Sequence, residues 1–318
     1  MSQTEARSTR STLSTHSVRK HLRENLTGFA FLTPNGIGFL VFGFLPIFAS
    51  LFLSFASWEL ITPIKWIGFR NFVDILGFHK DGASVFPNDP YFWKYLLNTF
   101  YFMLGIPLGM ATSLILALLM NQKIKGINIF RTIYFMPVVS SMIACALLWR
   151  WIYHPEVGLL NMFLYLFHIK GPDWLGSMAW AKPSLIVMGI WKGAGYNMLL
   201  YLAALQGVPE ELYEAARVDG ANKWRQFWGI TWPLLGPINF LMIIMGVIGG
   251  FQSFDVQYVM TGGGPANSTK TMVFYIYEKA FTMFQMGYAA AIAWILAAMI
   301  FVFTFLQWKS MGKKVFYA

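Results

Sequence analysis

The sequence predicts an all-α, polytopic membrane protein with about six transmembrane helices and one charged loop between two of them. Three observations predict it. Of 318 residues, 57% are hydrophobic and only 12% are charged, about half the charge of an ordinary soluble domain, so lipid must be the main solvent. Six apolar runs, at residues 28–55, 96–120, 133–153, 184–206, 238–260 and 287–308, each approach or exceed the ~20 residues needed to cross a hydrocarbon core about 30 Å thick. Between the fourth and fifth runs stands VPEELYEAARVDGANKWRQFWGITWPLLGP, residues 208–237, with four acidic and three basic residues.

In chain order, residues 1–27 are polar and rich in Ser, Thr and Arg. The first apolar run is too long for a signal-peptide core and lacks an A-x-A-like site, so this segment reads as a basic cytoplasmic tail. Glu5 and Glu24 argue against a mitochondrial transit peptide. Basic residues near span ends stay in the cytoplasm. With the N-terminus inside, the inner segments hold Arg7, Arg10, Arg19, Lys20, Arg23, Lys123, Lys125, Arg131, Arg217, Lys223, Arg225, Lys309, Lys313 and Lys314. These outnumber the basic residues of the longer outer segments, which places both termini, residues 1–27 and 309–318, in the cytoplasm. The net charge of +10 then reads as a topology signal plus attraction to anionic lipid heads. Nucleic-acid binding is a poor alternative, since no basic patch with interleaved aromatics lies outside the spans. The outer loops are rich in Pro, Gly and Trp, and Trp58, Trp66, Trp93, Trp174, Trp180 and Trp308 sit near span ends, as interfacial aromatics do. The lone Cys145 lies within the third span and reads as a small packing residue.

The charged segment reads as a helix–glycine–helix unit. Pro209 suits a first helical turn, and Glu210, Glu211 and Glu214 complement the positive end of the dipole. Leu212, Ala215 and Ala216 share a face, and Gly220 can end the helix in a left-handed conformation. Asn222 caps a second short helix from Lys223 whose Trp224, Phe227 and Trp228 form an apolar stripe. Amphipathicity alone does not separate lipid headgroups from a partner protein as the surface it meets.

EAARVDGANKWRQFWGITWPLLGP resembles the EAA loop of permease subunits of ATP-binding-cassette importers, with Glu214, Ala215, Ala216, Gly220, Ile230 and Pro233 on the motif positions. FLPIFASLFLSF, WIGFRNF, FRTIYFMPVVSS, FQSFDVQYVMTGGGP and GYAAAIAW extend the likeness across most of the chain, towards the maltose/glycerol-phosphate-type carbohydrate branch. The resemblance implies a six-span transmembrane domain over 28–308 whose loop at 207–236 is a coupling helix inserted into a cytoplasmic ATPase. It implies contacts with that ATPase through Glu210, Glu211, Glu214, Ala215, Ala216, Asp219 and Gly220. It further implies a second permease subunit, two ATP-binding subunits, a periplasmic or lipid-anchored solute-binding protein and a carbohydrate cargo. The sequence departs from the maltose permease itself in lacking a large outer insertion and extra N-terminal spans.

No G-x-x-x-x-G-K-[ST] is present, so ATP and Mg belong to the partner ATPase and no cofactor or metal is expected on this chain. TGGGP at 261–265 reads as a turn rather than a phosphate loop. Lys192, some eight residues into the fourth span, is costly there and is expected to face a watery cavity or an anionic partner, the alternative being a side chain that snorkels to the headgroups. Gly193 and Gly195 weaken the helix beside it, and Tyr196 shares its face. Gly246, Gly249, Gly250 and Ser253 form a small-residue stripe whose ordinary role is close helix packing. In the resembled maltose permease, sugar contacts come from spans three, four and five. Aligned on it, Lys192, Gly193, Tyr196, Gly246, Gly249, Gly250 and Ser253 fall on contact positions. The extra room and the Lys192 charge lead to an expected bulky or acidic saccharide. Asp255 reads as a gate residue, a partner of Lys192 or a wet interfacial group. The rival readings are an ion-coupled secondary transporter, a polytopic enzyme acting on lipid-linked sugars and a scaffold subunit. The first predicts inverted repeats and buried acids, and the second predicts paired carboxylates or a metal cluster.

Overall fold

In the computed structural model, residues 26–311 are described apart from 82, 83 and 123. The expected cytoplasmic tails therefore lie almost wholly outside the described residues, as do Lys123 and the basic residues of 1–25 and 312–318. Four helices are long and apolar enough to cross a membrane: α1 (Leu26–Ser54), α3 (Pro90–Met120), α7 (Ala181–Gln206) and α13 (Met286–Met311). Two further crossings are broken. The third expected span is α4 (Ile127–Val139) followed by α5 (Met142–Ile152), bent by 102°. The fifth is α9 (Lys223–Leu234) followed by α10 (Gly236–Phe251), bent by 62°. The shorter helices are α2 (Arg70–Leu76), α6 (Leu159–Leu166), α8 (Glu210–Val218), α11 (Asp255–Thr261) and α12 (Met272–Tyr277). Two small antiparallel hairpins, β1 (Ala56–Ser57) with β2 (Lys65–Trp66) and β3 (Phe78–Asp81) with β4 (Ser84–Pro87), lie on the face of the molecule opposite α8.

Two expected spans change form. The third does not run straight through 133–153. Pro137 removes one backbone donor within α4, and Ser140 and Ser141 are extended, with ψ of 147° and 138°, so α5 leaves in a new direction. The fifth does not continue to Met260. It ends at Phe251, and α11 starts afresh at Asp255.

The buried core has three parts. Near the opposite face, Ile75, Phe92, Tyr95, Phe251, Met272 and Ile292 join α2, α3, α10, α12 and α13. Near α8, Leu114, Met198, Tyr201, Leu235 and Met242 pack α3 against α7 and α10, and the Tyr201 hydroxyl donates to buried Asn239 at 2.6 Å. The third part unites Cys145, Ala146, Leu185, Met188 and Met260, so Cys145 is a buried packing residue. Helix α1 is exposed over most of its length, with Phe31 and Phe42 among its outward side chains, and turns inward only near its end at buried Ser54, as expected of a helix largely solvated by lipid.

One carboxylate organises the face opposite α8. Asp89 caps α3 by accepting from the backbone N–H groups of Tyr91 (3.0 Å) and Phe92 (3.1 Å). Its other oxygen accepts from the hydroxyls of Tyr275 and Tyr288, both at 2.6 Å. A buried charge is thereby met by four donors, and α3, α12 and α13 are joined at one point. The TGGGP turn is fastened to α3 nearby. Lys94 donates to the Ala266 carbonyl at 2.8 Å, and Asn98 donates to those of Asn267 and Lys270.

Candidate translocation cavity and coupling loop

Where α3, α7 and α10 meet, a cavity of about 540 Å³ opens. Small residues create it: Gly105 and Gly109 on α3, Gly189 and Gly193 on α7, and Gly246, Gly249 and Gly250 on α10. The break after Phe251 adds Ser253, Val256 and Gln257. Gln257 is buried and bonded to the Ser253 hydroxyl at 2.8 Å, and the Ser253 carbonyl accepts from Thr271 at 2.6 Å. Tyr196 presents a half-exposed ring, with Asn197 beside it. None of the lining side chains is charged. The surface offers two aromatic side chains, Phe102 and Tyr196, three polar ones, and a larger apolar share from residues such as Ile106, Met110, Leu241 and Met245, a lining suited to a neutral ligand rather than an ion.

Six of the seven residues expected at a cargo cavity line it together: Gly193, Tyr196, Gly246, Gly249, Gly250 and Ser253. Lys192 does not. Its ammonium lies 2.5 Å from the carbonyl oxygen of Pro137, 3.0 Å from that of Val138 and 2.8 Å from that of Ser140. It therefore neither adds positive charge to the cavity nor snorkels outward. Among the described residues the ion pairs are Arg70–Asp74, Glu214–Arg217 and Lys270–Glu278, so Asp255 is not the partner of Lys192. Sequence reasoning missed the α3 wall. Its signal was the glycine pair four apart in GIPLG, which puts Gly105 and Gly109 on one helix face. No residue of α4 or α5 lines the cavity.

The charged loop projects from one end of the bundle. Helix α8 has Glu210 and Glu211 in its first turn and Arg217 in its last, both favourable to the dipole. Gly220 takes φ 77°, where a Cβ would be strained, and the Ala221 N–H closes back onto the Ala216 carbonyl at 2.8 Å. Asn222 then caps α9, accepting from the Arg225 N–H at 2.9 Å. Glu210, Glu211, Glu214, Ala215, Asp219 and Gly220 are exposed, and Ala216 is half-buried. The Glu214–Arg217 pair, at 3.8 Å and open to solvent, adds little. The second half is not a free interfacial helix: α9 runs on, through a π-helical turn at Phe227–Thr231, into the bend before α10.

The family described as "Binding-protein-dependent transport system inner membrane component" matches residues 90–308, and the chain belongs to it. It is 37% identical over 306 residues to the probable ABC transporter permease protein YesP of Bacillus subtilis (strain 168), covering 95% of this chain and 94% of that one. It is 36% identical over 303 residues to the lactose transport system permease protein LacF of Rhizobium radiobacter, covering 93% and 97%. The crystal structure of a bacterial ABC transporter involved in the import of the acidic polysaccharide alginate shares the fold. It aligns with a TM-score of 0.78 and 23% identity over 93% of this chain and 99% of that one.

Proposed function

We propose that this chain is the non-catalytic permease subunit of an ATP-driven importer that moves a carbohydrate across the bacterial inner membrane by alternating access. A second permease subunit completes the path, and two cytoplasmic ATPases that hold ATP and Mg dock on α8. A solute-binding protein delivers cargo to the opposite face. Both termini lie in the cytoplasm. The observation that carries the reading is the pairing of two features at a distance. An uncharged cavity with aromatic and polar side chains lies within the spans, and an exposed acidic helix with small alanines stands outside them on a short tether. Family membership and the lactose permease among its relatives support carbohydrate cargo.

The cavity also bears on cargo charge. An acidic saccharide was expected because of Lys192, and that ammonium is turned away onto backbone carbonyls. The surface contributed by this chain therefore suits the neutral hydroxyl faces of a sugar, and its glycines leave room for a bulky one.

The test is ATPase stimulation in liposomes by a panel of neutral and acidic oligosaccharides with their binding protein, using the chain with its co-purifying subunits. Wild type is compared with Glu214→Ala. Stimulation by saccharides that Glu214→Ala abolishes is expected. Undiminished stimulation in the variant would remove α8 from coupling, and no response to any saccharide would remove carbohydrate as the cargo.

A further inference from the structure

Helix α4 ends partway along the broken third crossing, which poses a physical problem. The last carbonyls of any α-helix have no N–H partners within it, and in an apolar setting unpaired carbonyls are costly. After Val139 the chain is extended through Ser140 and Ser141, and α5 departs at 102°, so the next turn of helix does not supply donors. The donors come from another helix. An ammonium has three N–H bonds, and that of Lys192 on α7 meets three carbonyls, those of Pro137, Val138 and Ser140, at 2.5, 3.0 and 2.8 Å. Its positive charge also faces the negative end of the α4 dipole. The approach is close because α7 has a glycine one turn further on: a Cβ at Gly195 would fall on the Tyr134 carbonyl of α4.

We infer that Lys192 is a positioning residue that sets the bend of the third span, and through it one wall of the cavity. The path is continuous. Lys192 fixes the end of α4 and hence the start of α5. Met142 and Cys145 of α5 pack with Val256 and Met260 of α11, and α11 presents Val256 and Gln257 to the cavity. With all three donors engaged by backbone, the ammonium has none left for cargo in this state. Only the last link, from wall to cargo, rests on the proposed function. The bend is a property of the fold.

The test is a distance measurement between spin labels at Ile129 on α4 and Leu148 on α5, both exposed. It uses the full chain with its co-purifying subunits in nanodiscs, with buried Cys145 replaced by Ala. Wild type should give one narrow distribution, Lys192→Met a broadened or displaced one, and Lys192→Arg, which keeps charge and donors, a restored one. In uptake assays Lys192→Met should lower the maximal rate while leaving the half-saturating saccharide concentration within about twofold. A wild-type distribution in Lys192→Met overturns the inference, and a raised half-saturation for acidic saccharides with unchanged distances assigns Lys192 to cargo instead. If Lys192→Met does not fold, Lys192→Gln, shorter and uncharged, replaces it, and a wild-type distribution there overturns the inference equally. The distances stand even if the chain transports no saccharide.

Discussion

The hydroxyl of Tyr213 lies 2.9 Å from that of Thr231, joining the exposed helix α8 to the helix that leads into the cavity wall. Thr231 is buried and Tyr213 half-buried, so the bond is sheltered. It is a direct side-chain hydrogen bond from α8 to α9, and α9 turns at Leu235 into α10, which carries Gly246, Gly249 and Gly250. A push on α8 has a short route to the cavity.

Tyr213→Phe deletes that bond and little else, a loss of about 1 kcal/mol. Saccharide-stimulated ATP hydrolysis should fall by up to about tenfold while co-purification of the ATPase subunits is unchanged. Wild-type stimulation would show that α8 moves α10 through the backbone alone.

Two glycines of the same stripe should respond differently. A Cβ at Gly249 meets nothing within 4 Å, whereas one at Gly246 lies 2.9 Å from the Ile106 side chain. Gly249→Leu should fill the cavity, stopping uptake with the unfolding temperature unchanged. Gly246→Leu should lower stability by about 1–3 kcal/mol through overpacking, read as a lowered unfolding temperature in detergent. Equal loss of stability in both would mean that the stripe serves packing alone.

Gly195→Val should be more damaging than either change in the stripe, since the clash is with the Tyr134 backbone of α4 and not with a yielding side chain. Its expected signature is loss of the monodisperse peak in size-exclusion chromatography. A well-behaved, active Gly195→Val protein would show that α4 and α7 separate easily.

Asp89→Ala should destabilise by roughly 3 kcal/mol, because bonds to a charged group contribute about 1.5–3 kcal/mol and one buried phenol, Tyr275, and one half-buried phenol, Tyr288, lose their acceptor. Burial first, and the bond to Asp89 second, raise the Tyr275 phenol above the usual tyrosine range. The unfolded chain releases that proton near pH ~10. The stabilisation is therefore complete below about pH 10 and is lost as pH rises through the higher folded value. Chemical unfolding across alkaline pH should show a shallower decline in Tyr275→Phe than in wild type. Identical slopes would place the alkaline loss elsewhere.

Much of this was legible in the chain. Low charge and six apolar runs determined a lipid-solvated helical bundle, because hydration energies act on composition and length whatever the packing. The capping of the charged loop was also local: Gly220 and Asn222 act on their own backbone neighbours. Where helices meet was decided only in three dimensions. The α3 wall of the cavity, the Tyr213–Thr231 bond and the two phenol donors on Asp89 join residues whose partners lie 18 to 199 positions away or on other helices. Lys192 shows the difference most clearly. Its position in a span determined that the charge needed a partner, since an unpaired ammonium in hydrocarbon is costly. That the partner is a broken helix end 52 to 55 residues earlier depended on the bend at Ser140 and on the packing that brings α7 against it, which act only in the folded bundle.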